Sequence, residues 1–220
     1  RFLLGHTVTG VKEGSVTAKD ASGEKKIPCS LALLSAGRRA DTAALGLDNI
    51  GVLTEMGAIA TDEHMKTNVP GVYAAGDING KSMLAHTAYR EAEVAVNDMT
   101  GRADSMDYGA VPAVIYTSPE VAGVGETEQS AKTKGLGAIS KTISMRFSGR
   151  YLAENEGGDG IAKMITIGGR IAGFHMIGSY ASEIIYGACM MIGREMTPGQ
   201  VQKVIFPHPT VSEIIRECVF

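Results

Sequence analysis

A histidine and a glutamate near the end of the chain have the residue types and the spacing for proton transfer. His208 lies between Pro207 and Pro209, which restrict the local backbone, and Glu213 follows five positions later. An imidazole with its ordinary pKa of about 6.5 can accept a thiol proton at neutral pH, and a carboxylate on its other nitrogen sets the tautomer and raises its basicity. The pattern therefore indicates a general base with a residue that orients it.

Glu213 also fits a structural role that involves no chemistry. Thr210 and Glu213 have the spacing of a capping box, in which the threonine caps the final helix and the glutamate bonds back to the backbone. A histidine followed by a proline is, by itself, usually part of a turn. The residues alone favour this structural role, so the chemical role depends on the surrounding sequence.

A second group of residues could bind a ligand that carries hydroxyl groups. Asp77 follows Gly76 and the apolar run at residues 72–75. The glycine lets the backbone turn sharply and approach a ligand, and the carboxylate can accept hydrogen bonds from a sugar-like chain. An isolated Gly-Asp pair more often only opens a turn. Both roles are open at this point.

Short elements in the first half of the chain would position Asp77. Residues 15–18 and 31–34 are β-type runs separated by Gly and charged turns, which predicts a small antiparallel sheet. Residues 72–75 are predicted to form a strand, and residues 82–100 contain a helix. Strand, Gly-Asp loop and helix are thus expected to form one unit.

The second half of the chain predicts a different kind of domain. Its predicted strands lie at residues 113–116, 139–145, 162–166 and 171–176, and Gly168-Gly169 is a strong signal for a tight hairpin between the last two. Helices are predicted at residues 182–195, from the Thr197-Pro198-Gly199-Gln200 capping sequence onward, and at residues 211–218. This pattern indicates an α+β domain with an antiparallel sheet and helices on one face, after a polar linker at residues 101–107.

Composition narrows the class of protein. The 220 residues include 44% hydrophobic and 20% charged residues, enough for one substantial core or two modest ones. The net charge of −3, with both signs interspersed, predicts neither nucleic acid nor a membrane as partner. Cys29, Cys189 and Cys218 are far apart and lack any metal-type spacing, so we expect no metal and a reducing, cytoplasmic environment.

The Asp77 region resembles part of a known family. Residues 67–77, followed by Met83-Leu84-Ala85-His86, are similar to the second FAD-binding motif of the two-dinucleotide-domain flavoprotein disulfide reductases. The resemblance implies that Asp77 binds the ribityl chain of FAD. It also implies that Met83, Leu84, Ala85 and His86 open a helix whose N-terminus faces the flavin ring and favours negative charge there. His86 would act mainly through its backbone.

Two further stretches carry the same resemblance. Residues 33–39 are similar to the strand and glycine turn that leave the family's NAD-binding domain, which implies that Gly37 lies near the NAD site; a solvated connection is the alternative. Residues 208–213, His-Pro-Thr-Val-Ser-Glu, resemble the catalytic dyad of the dihydrolipoamide dehydrogenases within this family. That resemblance implies that His208 is the base and that Glu213 orients it.

The resemblance covers nearly all of the chain and implies its fold. We expect α/β and α+β parts: the C-terminal portion of a two-dinucleotide-domain flavoprotein, with an antiparallel-sheet interface domain that forms a homodimer. The implied domains are the end of the NAD-binding domain (residues 1–36), the C-terminal part of the FAD-binding domain (residues 37–107) and the interface or dimerisation domain (residues 108–220). His208 would then serve the disulfide of the opposite subunit.

The final segment favours dihydrolipoamide dehydrogenases over their relatives. Glutathione-type reductases usually place a second glutamate where Ile214 stands, and mercuric and large thioredoxin reductases end in paired cysteines or a selenocysteine pair, whereas this segment has only Cys218. The resemblance implies an enzyme that uses FAD and NAD to reoxidise dihydrolipoamide on the lipoyl domains of 2-oxo acid dehydrogenase or glycine cleavage complexes. Another flavoprotein disulfide reductase, glutathione-reductase-like, and a non-catalytic dimerisation module are the alternatives.

We expect the chain to be a fragment of such an enzyme. The reactive cysteine pair and the Gly-rich phosphate loop that the family carries are absent from it. Alone, the chain is therefore expected to be inactive and to retain neither FAD nor NAD. A flavin absorption band in the purified chain would contradict this expectation.

Overall fold

The computed structural model describes residues 1–220 and contains three antiparallel sheets. Its strands are β1 (Thr7–Lys12), β2 (Ser15–Asp20), β3 (Gly23–Pro28), β4 (Thr54–Glu55), β5 (Ala58–Ile59), β6 (Ala113–Ile115), β7 (Val121–Gly125), β8 (Ala138–Ser144), β9 (Ile161–Ile167) and β10 (Arg170–Ile177). Its α-helices are α1 (Ala85–Met99), α2 (Glu128–Thr133), α3 (Gly149–Glu154), α4 (Ala181–Gly193), α5 (Pro198–Val201) and α6 (Glu213–Val219). Single turns of 3-10 helix lie at Ala43–Leu45, Leu47–Ile50, Asp77–Asn79 and Met145–Phe147.

The first sheet joins β1, β2 and β3 in that order, which confirms the small antiparallel sheet predicted for the start of the chain. The strand predicted at residues 31–34 is wrong. Leu31, Leu33 and Leu34 are exposed and belong to no strand. A strand needs a neighbour for its backbone hydrogen bonds, and β3, the element before this run, pairs only with β2.

The strand predicted at residues 72–75 is also wrong, although the run is partly buried. Only a single bridge forms there, between Lys66 and Tyr73. The turn at Gly71 brings the chain back on itself, so the two arms pair too briefly to make a ladder. Ala74 nevertheless packs into a small core with Val52 and Ile59.

Helix α1 confirms the helix predicted within residues 82–100. Its inner face carries Thr87, Glu91, Val94 and Ala95, which recur at the three- and four-residue spacing of one helical face. Three of these are small or apolar side chains that suit a core, but Glu91 brings a carboxyl group into it.

The predicted linker at residues 101–107 has no regular secondary structure, yet it is attached to α1. Asp104 accepts hydrogen bonds from Arg90 Nη1 at 2.8 Å and from Asn97 Nδ2 at 2.8 Å. Met106 is buried and packs with Val94 and Met65. The Arg90 guanidinium, with a smaller contribution from the Asn97 amide, holds the pKa of Asp104 well below its usual range.

Because the pKa of Asp104 is depressed in the folded chain, its ion pair should make stability depend on pH in acid. The contribution is fully present above the unfolded-state pKa of about 3.9 and is lost as the pH falls through the folded-state pKa. In Asp104→Asn the free energy of unfolding should therefore fall less steeply than in the wild type as the pH drops below the unfolded-state pKa of Asp104. Urea unfolding at several pH values measures this. The exposed Asp41→Asn variant is the control. Parallel pH profiles for wild type and Asp104→Asn would contradict this.

The largest sheet has the order β6-β7-β10-β9-β8 and is antiparallel throughout. The four strands predicted in this region are confirmed, and so is the tight hairpin between β9 and β10. Both of its central residues, Gly168 and Gly169, have positive φ, at 58° and 78°. Strand β10 lies at the centre of this sheet, with β7 on one side and β9 on the other.

Strand β7 was not predicted, because its Val-Ala-Gly-Val-Gly sequence has few strand-forming side chains. The structure explains one of its glycines. A Cβ atom on Gly123 would lie 2.4 Å from Nδ1 of His175 on the neighbouring strand β10. His175 itself donates from Nε2 to the Glu126 carbonyl at 2.9 Å, so it is a packed, hydrogen-bonded residue of the sheet.

Helices α4, α5 and α6 cover one face of the large sheet and form the main core with it. The core has 20 buried residues, and among its fully buried side chains are Phe174, Met176 and Ile185. The unpredicted helix α2 lies against the other face, where Glu128 accepts a hydrogen bond from Lys163 at 2.7 Å. The α+β architecture is confirmed, with helices on both faces instead of one. No helix of the chain combines the length and apolar character needed to cross a lipid bilayer.

Candidate functional site

His208 and Glu213 are in direct contact. Nδ1 of His208 lies 2.9 Å from Oε1 and 3.1 Å from Oε2 of the glutamate, and the Thr210 N–H donates to Oε2 at 2.9 Å. The same carboxylate therefore orients the imidazole and bonds back to the chain before α6. The capping box is only half formed, because the Thr210 hydroxyl oxygen accepts no hydrogen bond from the backbone of α6; the hydroxyl donates instead to the Pro207 carbonyl at 2.8 Å.

The ionisation of Glu213 determines which nitrogen of His208 carries the ring proton. The Thr210 N–H, and then the hydrogen bond from His208, hold the pKa of Glu213 below its usual range, so the carboxylate is ionised at neutral pH. An ionised carboxylate only accepts hydrogen bonds, so in the neutral imidazole the ring proton lies on Nδ1 and Nε2 has a free lone pair. The His208 side chain is 78% exposed and that of Glu213 only 18%. The arrangement presents a proton acceptor to the outside of the chain.

An open apolar groove of about 670 Å³ runs beside the loop that carries His208. Helix α4 forms one wall, with Tyr186 and Met190 exposed along it, and the other wall includes Phe206 and Pro207. The histidine therefore lies at the border of an apolar surface that nothing in this chain covers.

The turn at Gly76 and Asp77 has a backbone geometry that requires glycine. Gly76 has φ 81° and ψ −159°, a region that residues with a Cβ avoid. A Cβ atom here would lie 3.3 Å from Cβ of Ala88, so the turn packs closely on α1. Asp77 begins the following 3-10 turn, and its half-exposed carboxylate lies 3.9 Å from Nη1 of Arg38.

The N-terminus of α1 is open. Leu84 precedes the helix, and no side chain caps it. Met83 and Leu84 are half-buried, whereas Ala85 and His86 are exposed. The first-turn N–H groups and the positive end of the helix can therefore accommodate negative charge. The His86 ring donates from Nε2 to the Pro112 carbonyl at 2.8 Å, so its side chain links α1 to the segment before β6.

Gly37 lies just before Arg38 in an exposed segment without regular secondary structure, and it has φ 91°. The contact between Arg38 and Asp77 places this segment beside the Asp77 loop. The structure thus groups Gly37, Asp77 and the start of α1 in one region, and His208 with Glu213 in another. The predicted roles of all these residues stay predictions.

Sequence reasoning missed Glu91, which supports the Asp77 turn from inside. Its side chain is fully buried, and its carboxylate accepts hydrogen bonds from the Gly76 N–H at 2.5 Å and from the Tyr108 hydroxyl at 2.6 Å. Burial and the neighbouring carboxylate raise the pKa of Tyr108, so the phenol stays protonated as the donor. A glutamate on the apolar face of a predicted helix is the signal that could have identified it.

The three cysteines are all free, and two are poor nucleophiles. Burial raises the pKa of Cys189 to about 11 and that of Cys218 to about 12. Thiols of this kind are almost wholly protonated at neutral pH, and the thiolate is the reactive form. These two side chains therefore pack as apolar groups in and against the main core.

Comparison with known protein families matches almost the whole chain. The model described as "Pyridine nucleotide-disulphide oxidoreductase, dimerisation domain" matches residues 111–219, and that described as "Pyridine nucleotide-disulphide oxidoreductase" matches residues 1–92. The chain belongs to the pyridine nucleotide-disulphide oxidoreductase family. Members of this family use FAD and NAD(P), and this chain includes the family's dimerisation domain. The predicted bounds of the three domains stay predictions.

Curated relatives of this chain include dihydrolipoyl dehydrogenases. That of Chlamydia muridarum is 37% identical over 220 residues, which cover 99% of this chain and 47% of the relative. That of Bacillus subtilis is 36% identical over 206 residues, which cover 92% and 44%. The chain spans about half the length of the curated relatives it matches.

A solved structure supports the fold of the chain. LpdA from Mycobacterium tuberculosis superposes with a TM-score of 0.84 at 23% identity, covering 97% of this chain and 48% of that one. At this level of identity the similarity establishes the architecture alone. The predicted fold class, the C-terminal part of a two-dinucleotide-domain flavoprotein with an antiparallel-sheet dimerisation domain, is confirmed.

Proposed function

We propose that this chain is the C-terminal part of an FAD-dependent dihydrolipoyl dehydrogenase, which reoxidises protein-bound dihydrolipoamide with NAD. The observation that carries the proposal is the His208–Glu213 pair. It presents an exposed Nε2 lone pair on a ring whose Nδ1 is held by an ionised carboxylate. That arrangement suits the removal of a thiol proton near neutral pH.

His208 acts in the thiol half of the proposed reaction. Its Nε2 takes the proton from one thiol of the dithiol substrate, and the resulting thiolate attacks a disulfide held elsewhere in the complete enzyme. A mixed disulfide forms, and the other sulfur of the broken S–S bond leaves as a thiolate. Glu213 stabilises the imidazolium that forms and keeps the ring directed outward. FAD, held in part by Asp77 and the start of α1, would supply the two-electron chemistry that links thiol oxidation to NAD reduction.

The Asp77 region fits one side of a bound FAD. The glycine-only backbone at Gly76 permits close approach, Asp77 offers a half-exposed carboxylate for ribityl hydroxyls, and the uncapped start of α1 offers N–H groups. We assign the ribityl contact to Asp77 and the ring-facing contacts to Met83, Leu84, Ala85 and His86. Gly37, beside the same region, is assigned to the NAD site.

The proposal includes a homodimer formed by residues 108–220. His208 points away from its own chain and borders an uncovered apolar groove, which suits a base that serves the disulfide of a partner subunit. The dithiol would be carried by lipoyl domains of a 2-oxo acid dehydrogenase or glycine cleavage complex.

A charge placed in the groove should weaken this dimer. Met190→Glu puts a carboxylate on the exposed face of α4, where a second copy would have to bury it without a partner. We expect light scattering to give a dimer mass for the wild-type chain and a mass shifted toward the monomer for the variant. Ile115→Glu is the matched control, since Met190 is 61% and Ile115 60% exposed, with Ile115 on the edge strand β6. A monomeric wild type, or equal masses for both variants, would count against this interface.

The function itself is tested by NAD reduction with dihydrolipoamide, using the full-length enzyme that contains these residues. Rapid formation of NADH, dependent on dihydrolipoamide, supports the proposal. A flavin-containing enzyme that ignores dihydrolipoamide but reduces another disulfide, such as glutathione disulfide, would instead make it a different flavoprotein disulfide reductase. An enzyme inactive with both would favour a non-catalytic dimerisation role.

A further inference from the structure

One hydrogen bond holds the His208 loop from a distant part of the chain. The hydroxyl of Ser148 donates to the carbonyl of Thr210 at 3.0 Å, across 62 positions of sequence. The other hydrogen bonds of this loop are local, such as those from Thr210 to Pro207 and to Glu213. Ser148 is only 1% exposed, so water does not compete for this contact.

Ser148 is itself held in place by hydrogen bonds to its surroundings. It precedes helix α3, and its hydroxyl accepts a hydrogen bond from the Tyr151 N–H at 3.2 Å. Its own N–H donates to the Met145 carbonyl at 3.0 Å, and the N–H of the fully buried Met145 donates to Gly160 at 2.8 Å, next to β9. The serine hydroxyl thus uses its acceptor on the helix and its single donor on the loop.

We infer that Ser148 is a positioning residue for the His208–Glu213 pair. The Thr210 peptide transmits the effect, because its carbonyl is held by Ser148 while its N–H is held by the Glu213 carboxylate. That carboxylate in turn fixes Nδ1 of His208. The inference rests on the proposed function only in calling His208 a base; the positioning itself can be measured without any activity.

The imidazole tautomer provides that measurement. In the 220-residue chain with ¹⁵N-labelled histidine, nitrogen chemical shifts at alkaline pH report the ratio of the Nδ1–H to the Nε2–H form. The signal of His208 is assigned among the 5 histidines with His208→Gln. Ser148→Ala is expected to lower the ratio of the Nδ1–H to the Nε2–H form by about two- to tenfold, the range that the loss of one hydrogen bond covers. Glu213→Gln gives the tautomer ratio of His208 when its ionised partner is lost completely.

Two further variants separate positioning from simple helix capping. Thr127→Ala removes the N-cap of α2, which is also six residues long, without touching the His208 loop. It should leave the His208 tautomer unchanged. Ser148→Thr keeps a hydroxyl that can donate and cap, so it should restore the wild-type ratio, with amide spectra verifying that each variant is folded.

The outcomes separate this inference from the proposed function. A wild-type tautomer ratio in folded Ser148→Ala, or an equal change in Thr127→Ala, overturns the role of Ser148 even if the full-length enzyme oxidises dihydrolipoamide. Failure of Ser148→Thr to restore the ratio does the same. A shifted ratio that threonine restores supports the role even if the full-length enzyme turns out to act on another substrate.

Discussion

His208→Gln in the full-length enzyme is expected to lower the rate of NAD reduction by dihydrolipoamide about a hundred- to ten-thousandfold, the usual contribution of a positioned general base. Glutamine can still hydrogen-bond, but it cannot accept a proton from a thiol at neutral pH. The Nε2 lone pair of His208 faces outward because Nδ1 is bound to Glu213. The glutamine side chain offers no such lone pair to a thiol proton. NADH absorbance at saturating dihydrolipoamide measures the effect.

The same variant should leave the flavin half of the reaction almost unchanged. Oxidation of NADH with an artificial electron acceptor involves no thiol, so it serves as the internal control. Glu213→Gln should lie between the wild type and His208→Gln, since it removes the charge that orients the ring. Glu217→Gln, on the same helix but without contact to His208, should match the wild type. Equal losses in both half-reactions would show damage to the fold instead of loss of a base.

The parts of the fold that can be predicted from the sequence are those that depend on contacts between residues close together in the sequence. The Gly168-Gly169 hairpin needs only two residues that accept positive φ, and the helix after Thr197 begins with its own capping box. Contact between His208 and Glu213 belongs to the same class, because five residues and two prolines bring them together. Each of these features is specified locally.

The strand wrongly predicted at residues 31–34 and the unpredicted strand β7 both depend on partners distant in sequence. The run at residues 31–34 is as apolar as a buried strand, but no strand lies beside it to complete its hydrogen bonds. Conversely, β7 forms despite its glycines because β6 and β10 lie on either side of it. Strand formation follows from pairing and burial, which a single run of residues does not encode.

The sequence also cannot decide between a capping role and a chemical role for Glu213. A carboxylate has two oxygens with about four acceptor positions, so it can bind both the Thr210 N–H and the His208 ring. The two readings of the same residue are therefore compatible, and only the geometry reveals that. Glu91 and Ser148 were missed for a related reason, since their partners lie 15 and 62 positions away.

Glu91→Ala is expected to lower the free energy of unfolding by about 2–4 kcal/mol, because it leaves two buried donors without an acceptor and opens a cavity. The donors are the Gly76 N–H and the Tyr108 hydroxyl, which the fully buried carboxylate now satisfies. Urea unfolding of the 220-residue chain measures the loss. Amide hydrogen exchange at Gly76 should accelerate in the same variant, which would localise the effect to the turn before Asp77.

Two matched variants decide what the buried carboxylate contributes. Glu91→Gln can accept from Gly76 with its oxygen and donate to Tyr108 with its nitrogen, so most of the stability should be kept. Glu93→Ala, two positions along α1 and exposed, should change stability little. In the full-length enzyme, Glu91→Ala should also release FAD more readily than either variant, because the Gly76–Asp77 turn loses its support. Equal FAD retention in all three would mean that the turn holds its shape without Glu91, and that the carboxylate serves only the packing of α1.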